Sequence, residues 1–262
     1  MDLPDGTAVA WADRRSGEVT VLLAEFRDAA LEVLAPYLAE TSERISREGG
    51  RLSLPSLAPD DDLAKNRPGA ELRTKLTAEG PSALERMISW MLRRESEWDS
   101  WRAGLVGERV MGAELERLSR HGWRVLHSVP LPNSVDIDHL LIGPGGVFNI
   151  NTKHHPKMNV WVGDDSVKIN HGPPRPYTRK VRAEARRVRR VLEKYSGTTV
   201  QVNPILAFVG IAGLTTVATL QDVRAWRDRD VAALGPVTGA LQPAQIETLY
   251  EIARHRRAWE DA

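Results

Sequence analysis

Asp136-Ile-Asp-His-Leu-Leu-Ile-Gly-Pro-Gly-Gly-Val-Phe-Asn-Ile-Asn-Thr-Lys153 is the stretch whose reading decides the fold. Apolar and polar residues alternate on either side of Pro144-Gly-Gly146, which is the composition of two strands joined by a tight turn. Residues 135–143 and 147–153 are therefore expected to pair antiparallel. Side chains alternate faces along a strand, so Asp136, Asp138 and Leu140 share one side while Ile137, His139 and Leu141 share the other. On the second strand Asn149, Asn151 and Lys153 share a face, opposite Phe148, Ile150 and Thr152. A short turn between the strands can then bring Asp138, Asn151 and Lys153 into one cluster.

That mixture of groups suits phosphodiester cleavage. The reaction builds negative charge around phosphorus, and Mg²⁺ held by oxygen ligands neutralises it while activating water. A neighbouring lysine orients the nucleophile or stabilises the developing charge. Mg²⁺ keeps several of its waters, so one or two carboxylates with a carbonyl oxygen suffice to hold it.

Outward from this core the pattern stays that of an α/β domain. Upstream, residues 108–121 read as a helix with the stripe Val110, Met111, Leu115 and Leu118, and Gly104 and Gly107 read as a break before it. Residues 124–131 read as a strand. Downstream, residues 159–162 and 167–170 form an expected hairpin around Gly163-Asp-Asp165. Residues 176–195 follow as a helix with Val181, Ala185, Val188 and Leu192 on one face. A strand at 200–209, a helix near 220–228 and a closing helix at 243–259, with proline in its first turn, complete the order.

The amino-terminal third is less informative. Residues 7–13 and 18–23 suggest a hairpin, 24–48 a helix, and 51–80 an irregular connector rich in Pro, Gly and Asp. After Pro81, Ser82 and Glu85 are spaced as a capping box and open a further helix. The expected organisation is an accessory module and linker at 1–80, a connecting helix at 81–104, and the α/β domain at 105–262.

Composition narrows the class. The 262-residue chain has ample apolar content for a core and no cysteine, which excludes disulfides and thiolate metal sites and favours a cytoplasmic location. The first residues, Met1-Asp-Leu-Pro-Asp-Gly6, lack the basic start and apolar run of a secretory signal. Net charge is +1 overall but divides into −5 over residues 1–104 and +6 over 105–262, so only the second part suits a polyanion. Residues 175–194 concentrate nine basic side chains against Glu184 and Glu193. Residues 195–221 carry no charge, yet Asn203, Pro204, Gly210 and Gly213 interrupt them well short of a membrane span, and a buried strand is expected there. His154 and His155, adjacent on a strand, point to opposite faces and cannot readily chelate one ion. His139 faces away from Asp138 as a core histidine would, and Trp161 serves packing or base stacking.

Residues 107–153 resemble the nuclease-related domain (NERD) family of the PD-(D/E)XK nuclease superfamily. The resemblance rests on Gly107-Glu108, Gly122-Trp-Arg-Val-Leu-His127, Asp136-Ile-Asp-His139, Gly143-Pro-Gly-Gly-Val-Phe148 and Thr152-Lys153. It extends more loosely to residue 262. It implies a restriction-endonuclease-like central mixed sheet flanked by helices, here preceded by a small α+β module. It also implies a metal-dependent nuclease hydrolysing DNA, with Asp138, Asn151, Lys153 and Glu108 as catalytic positions. Asp138, Asn151, Glu108 and Asp136 would hold Mg²⁺ or Mn²⁺, bound weakly. Asn151 stands where the family pattern has Glu or Asp, so the alternative is an inactive domain of the same fold that binds nucleic acid or protein. Arg179, Lys180, Arg186, Arg187 and Arg190 are the expected nucleic-acid contacts, and the acidic module at 1–80 is a candidate docking element for a protein partner. No membrane association is expected.

Overall fold

Two units divide the chain, Met1–Leu52 and Ser53–Ala262. The computed structural model describes residues 10–12, 19–21, 54–78, 97–132 and 135–262. In the first unit β1 (Ala10–Ala12) pairs antiparallel with β2 (Val19–Val21), in the register Trp11↔Thr20. The turn between them, the helix expected at 24–48 and the capped helix expected after Pro81 lie outside the described residues.

The second unit is built on a five-stranded mixed sheet. Its strands are β3 (Arg124–Leu131), β4 (Val135–Gly143), β5 (Gly146–His154), β8 (Val202–Val209) and β10 (Arg224–Arg227), in the spatial order β10-β8-β5-β4-β3. The first three pair antiparallel through short turns, and the Pro144-Gly-Gly146 turn closes the β4–β5 ladder at Gly143↔Gly146. Gly146 adopts φ +116°, which a side chain would disfavour. β5 and β8 run parallel and are joined across α3 (Tyr177–Ser196). Parallel strands need such a crossover and are covered on both faces, which explains the continuous burial along the centres of β5 and β8. A smaller sheet of β6 (Asn159–Val162), β7 (Val167–Ile169) and β9 (Gly213–Thr216) lies beside it in the order β7-β6-β9.

Two helical layers sandwich the main sheet. On one side Met111 and Leu115 of α2 (Glu97–Glu116) pack on Leu141, Phe148 and Ile150. On the other, Val188 and Leu192 of α3 and Ile246 and Leu249 of α4 (Pro243–Ala253) pack on Leu140, Ile142 and Val147.

Four sequence expectations change. The break at Gly104 and Gly107 is absent, because α2 runs through both glycines. Gly107 instead permits close approach: a Cβ there would lie 2.8 Å from the Cβ of His154. Residues 224–227 form a strand in place of the helix expected at 220–228, followed by a 3-10 turn over Asp228–Leu234. Short apolar runs do not distinguish the two states, and the open edge of β8 supplies the backbone partners. The closing helix ends at Ala253, and Arg256–Trp259 is a separate 3-10 turn.

The last change concerns 51–80, where a connector was expected. Residues 59–65 form two 3-10 turns and Ala70–Ala78 is a helix, α1. Leu63 enters the core against Ala253, Ala258 and Trp259 in one apolar cluster. Asp62 pairs with Arg254 at 2.6 Å, and Leu63 N–H donates to the Arg254 carbonyl. Among the described residues no helix is long and apolar enough to cross a membrane. The uncharged stretch 195–221 is divided among the end of α3, β8 and β9.

Candidate functional site

The β4–β5 ladder runs from Gly143↔Gly146 as far as His139↔Ile150 and stops there. Both strands continue, β4 paired to β3 through Val135 and β5 paired to β8 through His154. At the end of the ladder the Asp138 carboxylate replaces a backbone carbonyl, its Oδ2 accepting from the Thr152 N–H at 2.6 Å. The buried carboxylate is thereby fixed between the two strands.

Lys153 follows on β5. Its Nζ donates to the Thr152 carbonyl at 2.9 Å and sits 5.3 Å from the centre of the Tyr177 ring, at the start of α3. Arg175 donates to the Tyr177 hydroxyl at 3.0 Å, and His155 stacks on the same ring. Burial and the charges of Arg175 and Lys153 push the His155 imidazole down to about 4, so it stays neutral.

Glu108 comes from the opposite layer, on α2, and is only 5 % exposed. The Gly69 N–H donates to it, yet its Oε2 is buried without a hydrogen-bond partner. Burial, then the charges of Asp138 and Asp136, push its carboxyl up to about 9, against the opposing pull of Lys153. Burial likewise raises Asp138, opposed by Lys153 and the Thr152 N–H. Glu108 thus feels the charges of Asp138, Asp136 and Lys153, and Asp138 that of Lys153.

Asn151 behaves differently. Its Nδ2 donates to both oxygens of Glu184 on α3, at 3.1 and 3.2 Å. Asn149 Nδ2 donates to Glu184 Oε2 at 3.3 Å. Glu184 is buried, and burial followed by the charge of Asp138 pushes it up to about 7, opposed by Lys153 and the two amides. In the sequence this helix stands out for its basic positions alone. The missed signal is positional: Glu184 falls three residues after Val181 and four before Val188, on the apolar stripe itself.

The remaining candidates separate clearly. His139 is buried against His127, Nδ1 to Nδ1 at 2.8 Å, with Glu116 on the far nitrogen of His127, on the face away from Asp138. His154 and His155 take opposite faces, the Cβ of His154 towards Gly107 and His155 on Tyr177. Trp161 is 39 % exposed with the Lys168 ammonium 5.6 Å from its ring centre. On α3, Arg182 is committed to Asp222 and Arg189 to Glu193. Arg179, Lys180, Arg186 and Arg190 are exposed and Arg187 half-buried, with no ion pair among the described residues. A second basic surface is a pocket of about 590 Å³ lined by Lys65, Asn66, Arg67, Arg73, Thr74 and Thr77.

A mixed sheet whose central antiparallel pair parts over buried acids and a lysine defines an α/β domain of nuclease-like architecture. Residues 103–209 match the nuclease-related domain family, which lies within the PD-(D/E)XK-like nuclease superfamily. No curated protein and no solved structure matches the chain.

The superfamily implies a divalent metal, and the donor set here fits one. Glu108 and the two acids that act on it, Asp138 and Asp136, offer oxygen ligands, which suits Mg²⁺ or Mn²⁺. The Glu108 Oε2, buried without a hydrogen-bond partner, leaves a lone pair open to a cation or a donor. Among the described residues no three His, Asp or Glu groups stand close enough to chelate one ion by themselves. The fit is therefore to a hydrated ion on one or two carboxylates.

The raised Glu108 carboxyl yields a stability prediction. The folded metal-free protein keeps a proton that the unfolded chain releases, so stability falls as pH rises from the ordinary value of 4.5 towards about 9. Glu108→Gln removes this cost. It is expected to raise the melting temperature of the metal-free protein, with no gain near pH 4 and a gain that grows towards pH 9, as followed by differential scanning calorimetry.

Proposed function

We propose that the domain hydrolyses phosphodiester bonds in DNA with a divalent metal. The observation that carries this reading is the parting of β4 and β5, which leaves Asp138 and Lys153 at one opening with Glu108 beside them. Asp138 would hold the metal, with Glu108, Asp136 and the Asn151 amide oxygen as supporting ligands. The ion supplies neutralisation of phosphate charge and an activated water when bound.

The chain's own residues account for the rest. The Thr152 N–H fixes Asp138 in place, so its carboxylate needs no reorganisation on binding. Lys153, tethered to the Thr152 carbonyl and the Tyr177 ring, would place its ammonium against the charge that develops on a scissile phosphate. The unpaired cations of α3 would track the backbone of the substrate, because phosphate contacts position a nucleic acid without reading its sequence. The reading is tested by nicking of supercoiled plasmid with Mg²⁺ against chelator. An inactive domain, the reading Asn151 favours, is the result if the wild type fails to nick and Asn151→Asp restores cleavage.

Binding is separable from cleavage. In chelator, the Arg179→Ala/Lys180→Ala double variant is expected to lower duplex affinity uniformly across sequences. It should also flatten the slope of log affinity against log salt by about 2, roughly one for each phosphate left without its cation. Fluorescence anisotropy over a salt series gives the slope. An unchanged slope removes the start of α3 from the interface.

A further inference from the structure

The position where the family pattern has an acid is Asn151, and the Asn151 amide donates to both oxygens of Glu184. We propose that Glu184 is the second acid of the site: the carboxylate absent from β5 enters from α3 and carries the charge that a divalent cation needs. The inference rests on the metal-dependent reading above and names a ligand-bearing residue which that reading lacks.

Three observations support it. The first is where Glu184 lies. An ionisable group on the apolar face of a helix is costly unless a partner compensates it, and its hydrogen-bonding neighbours are the amides Asn149 and Asn151, not cations. A single glutamine oxygen in the place of Oε2 would still accept from both amides, so these bonds do not by themselves require a full charge. The second is capacity. A carboxylate offers about four lone-pair sites, and two amide nitrogens occupy only part of them. The third is the company it keeps: Asp138 and Lys153, the acid and the ammonium of the opening, both act on Glu184 electrostatically.

The exchange of roles also explains Asn151. With Glu184 pressed against it at 3.1 Å, a carboxylate at 151 would set like charge against like charge, whereas an amide donates. Asparagine on β5 and glutamate on α3 keep one negative charge while swapping which strand or helix holds it. The departure from the family pattern is then a relocation of the acid and not its loss. Glu184 itself lies inside the matched segment, but 33 residues from the position it replaces.

The test is Mn²⁺ binding to the full chain by calorimetry, independent of turnover, on the wild type, Glu184→Gln, Asp138→Asn and the exchange variant Asn151→Asp/Glu184→Gln. Glu184→Gln is isosteric and keeps an acceptor for both amides, so circular dichroism melts should remain cooperative. The expected result is a 10–100-fold weakening of Mn²⁺ binding in Glu184→Gln. Recovery to within about threefold of wild type is expected in the exchange variant, where charge and hydrogen bond return with reversed polarity. If Glu184→Gln binds as wild type while Asp138→Asn does not, Glu184 only buttresses β5, and the inference falls while the metal site stands. A Glu184→Gln defect that the exchange variant fails to repair also overturns it. Wild type that takes up no Mn²⁺ overturns both this inference and the reading beneath it.

Discussion

Lys153→Ala is expected to slow Mg²⁺-dependent nicking of supercoiled plasmid by about 10²–10³ while leaving a folded protein. The residue sits at the end of β5, where its ammonium has one hydrogen bond to a backbone carbonyl and one aromatic neighbour. Truncation therefore leaves no buried donor stranded, and the stability cost is small. Its electrostatic cost is not small, because the ammonium opposes the raised carboxyls of Asp138, Glu108 and Glu184 together. Loss of one preorganised positive group beside buried carboxylates accounts for the expected factor. Asp138→Asn is expected to lose at least as much, since the asparagine oxygen still accepts from Thr152 N–H but brings no charge to a metal. Both variants are compared with wild type by gel quantification of open-circular product over time. Equal rates for all three proteins would trace the nicking to a contaminant and end the proposal of hydrolysis by this domain.

The second large effect concerns the fold. Leu63→Ala is expected to destabilise the second unit by about 2–5 kcal/mol, the range for deleting a leucine side chain from a tight core. Leu63 is 1 % exposed and packs in the cluster that holds Ala253, Ala258 and Trp259. Its N–H bonds the Arg254 carbonyl, and its neighbour Asp62 pairs with the Arg254 guanidinium, so the truncation cannot collapse easily around the cavity. Urea unfolding followed by fluorescence should show a lower midpoint with an unchanged slope. A shift below about 0.5 kcal/mol would mean that residues 54–78 lie on the unit without supporting it. The outcome bears on the site as well. The same segment carries Gly69, whose N–H reaches Glu108, and the Lys65, Arg67 and Arg73 side chains beside it. These residues precede the matched family segment, yet Gly69 reaches the candidate centre through Glu108.

How much of this was legible beforehand follows from the range of each interaction. The β4–β5 hairpin was, because a period of two on each side of Pro144-Gly-Gly146 and a turn that only glycine enters easily are local properties. The juxtaposition of Asp138 with Lys153 followed from the same register. The helix α3 was legible from its stripe, and its unpaired cations from the excess of arginine. Gly107 differs from expectation because a glycine in sequence reads as a break whether it ends a helix or admits a strand, and the Cβ of His154 decides which. Residues 224–227 were misread for a similar reason. Their backbone partners sit on β8, and a run of four residues carries no period of its own.

Local patterning thus determined the antiparallel core and the crossover helix, because these depend on neighbours within a few residues or across one turn. Only the tertiary structure decided that Glu108 and Gly69 meet over that ladder, that 54–78 belongs to the core, and that Glu184 answers Asn151. Each of these joins residues tens of positions apart through packing, and a burial that brings charges together leaves no periodic trace in the chain.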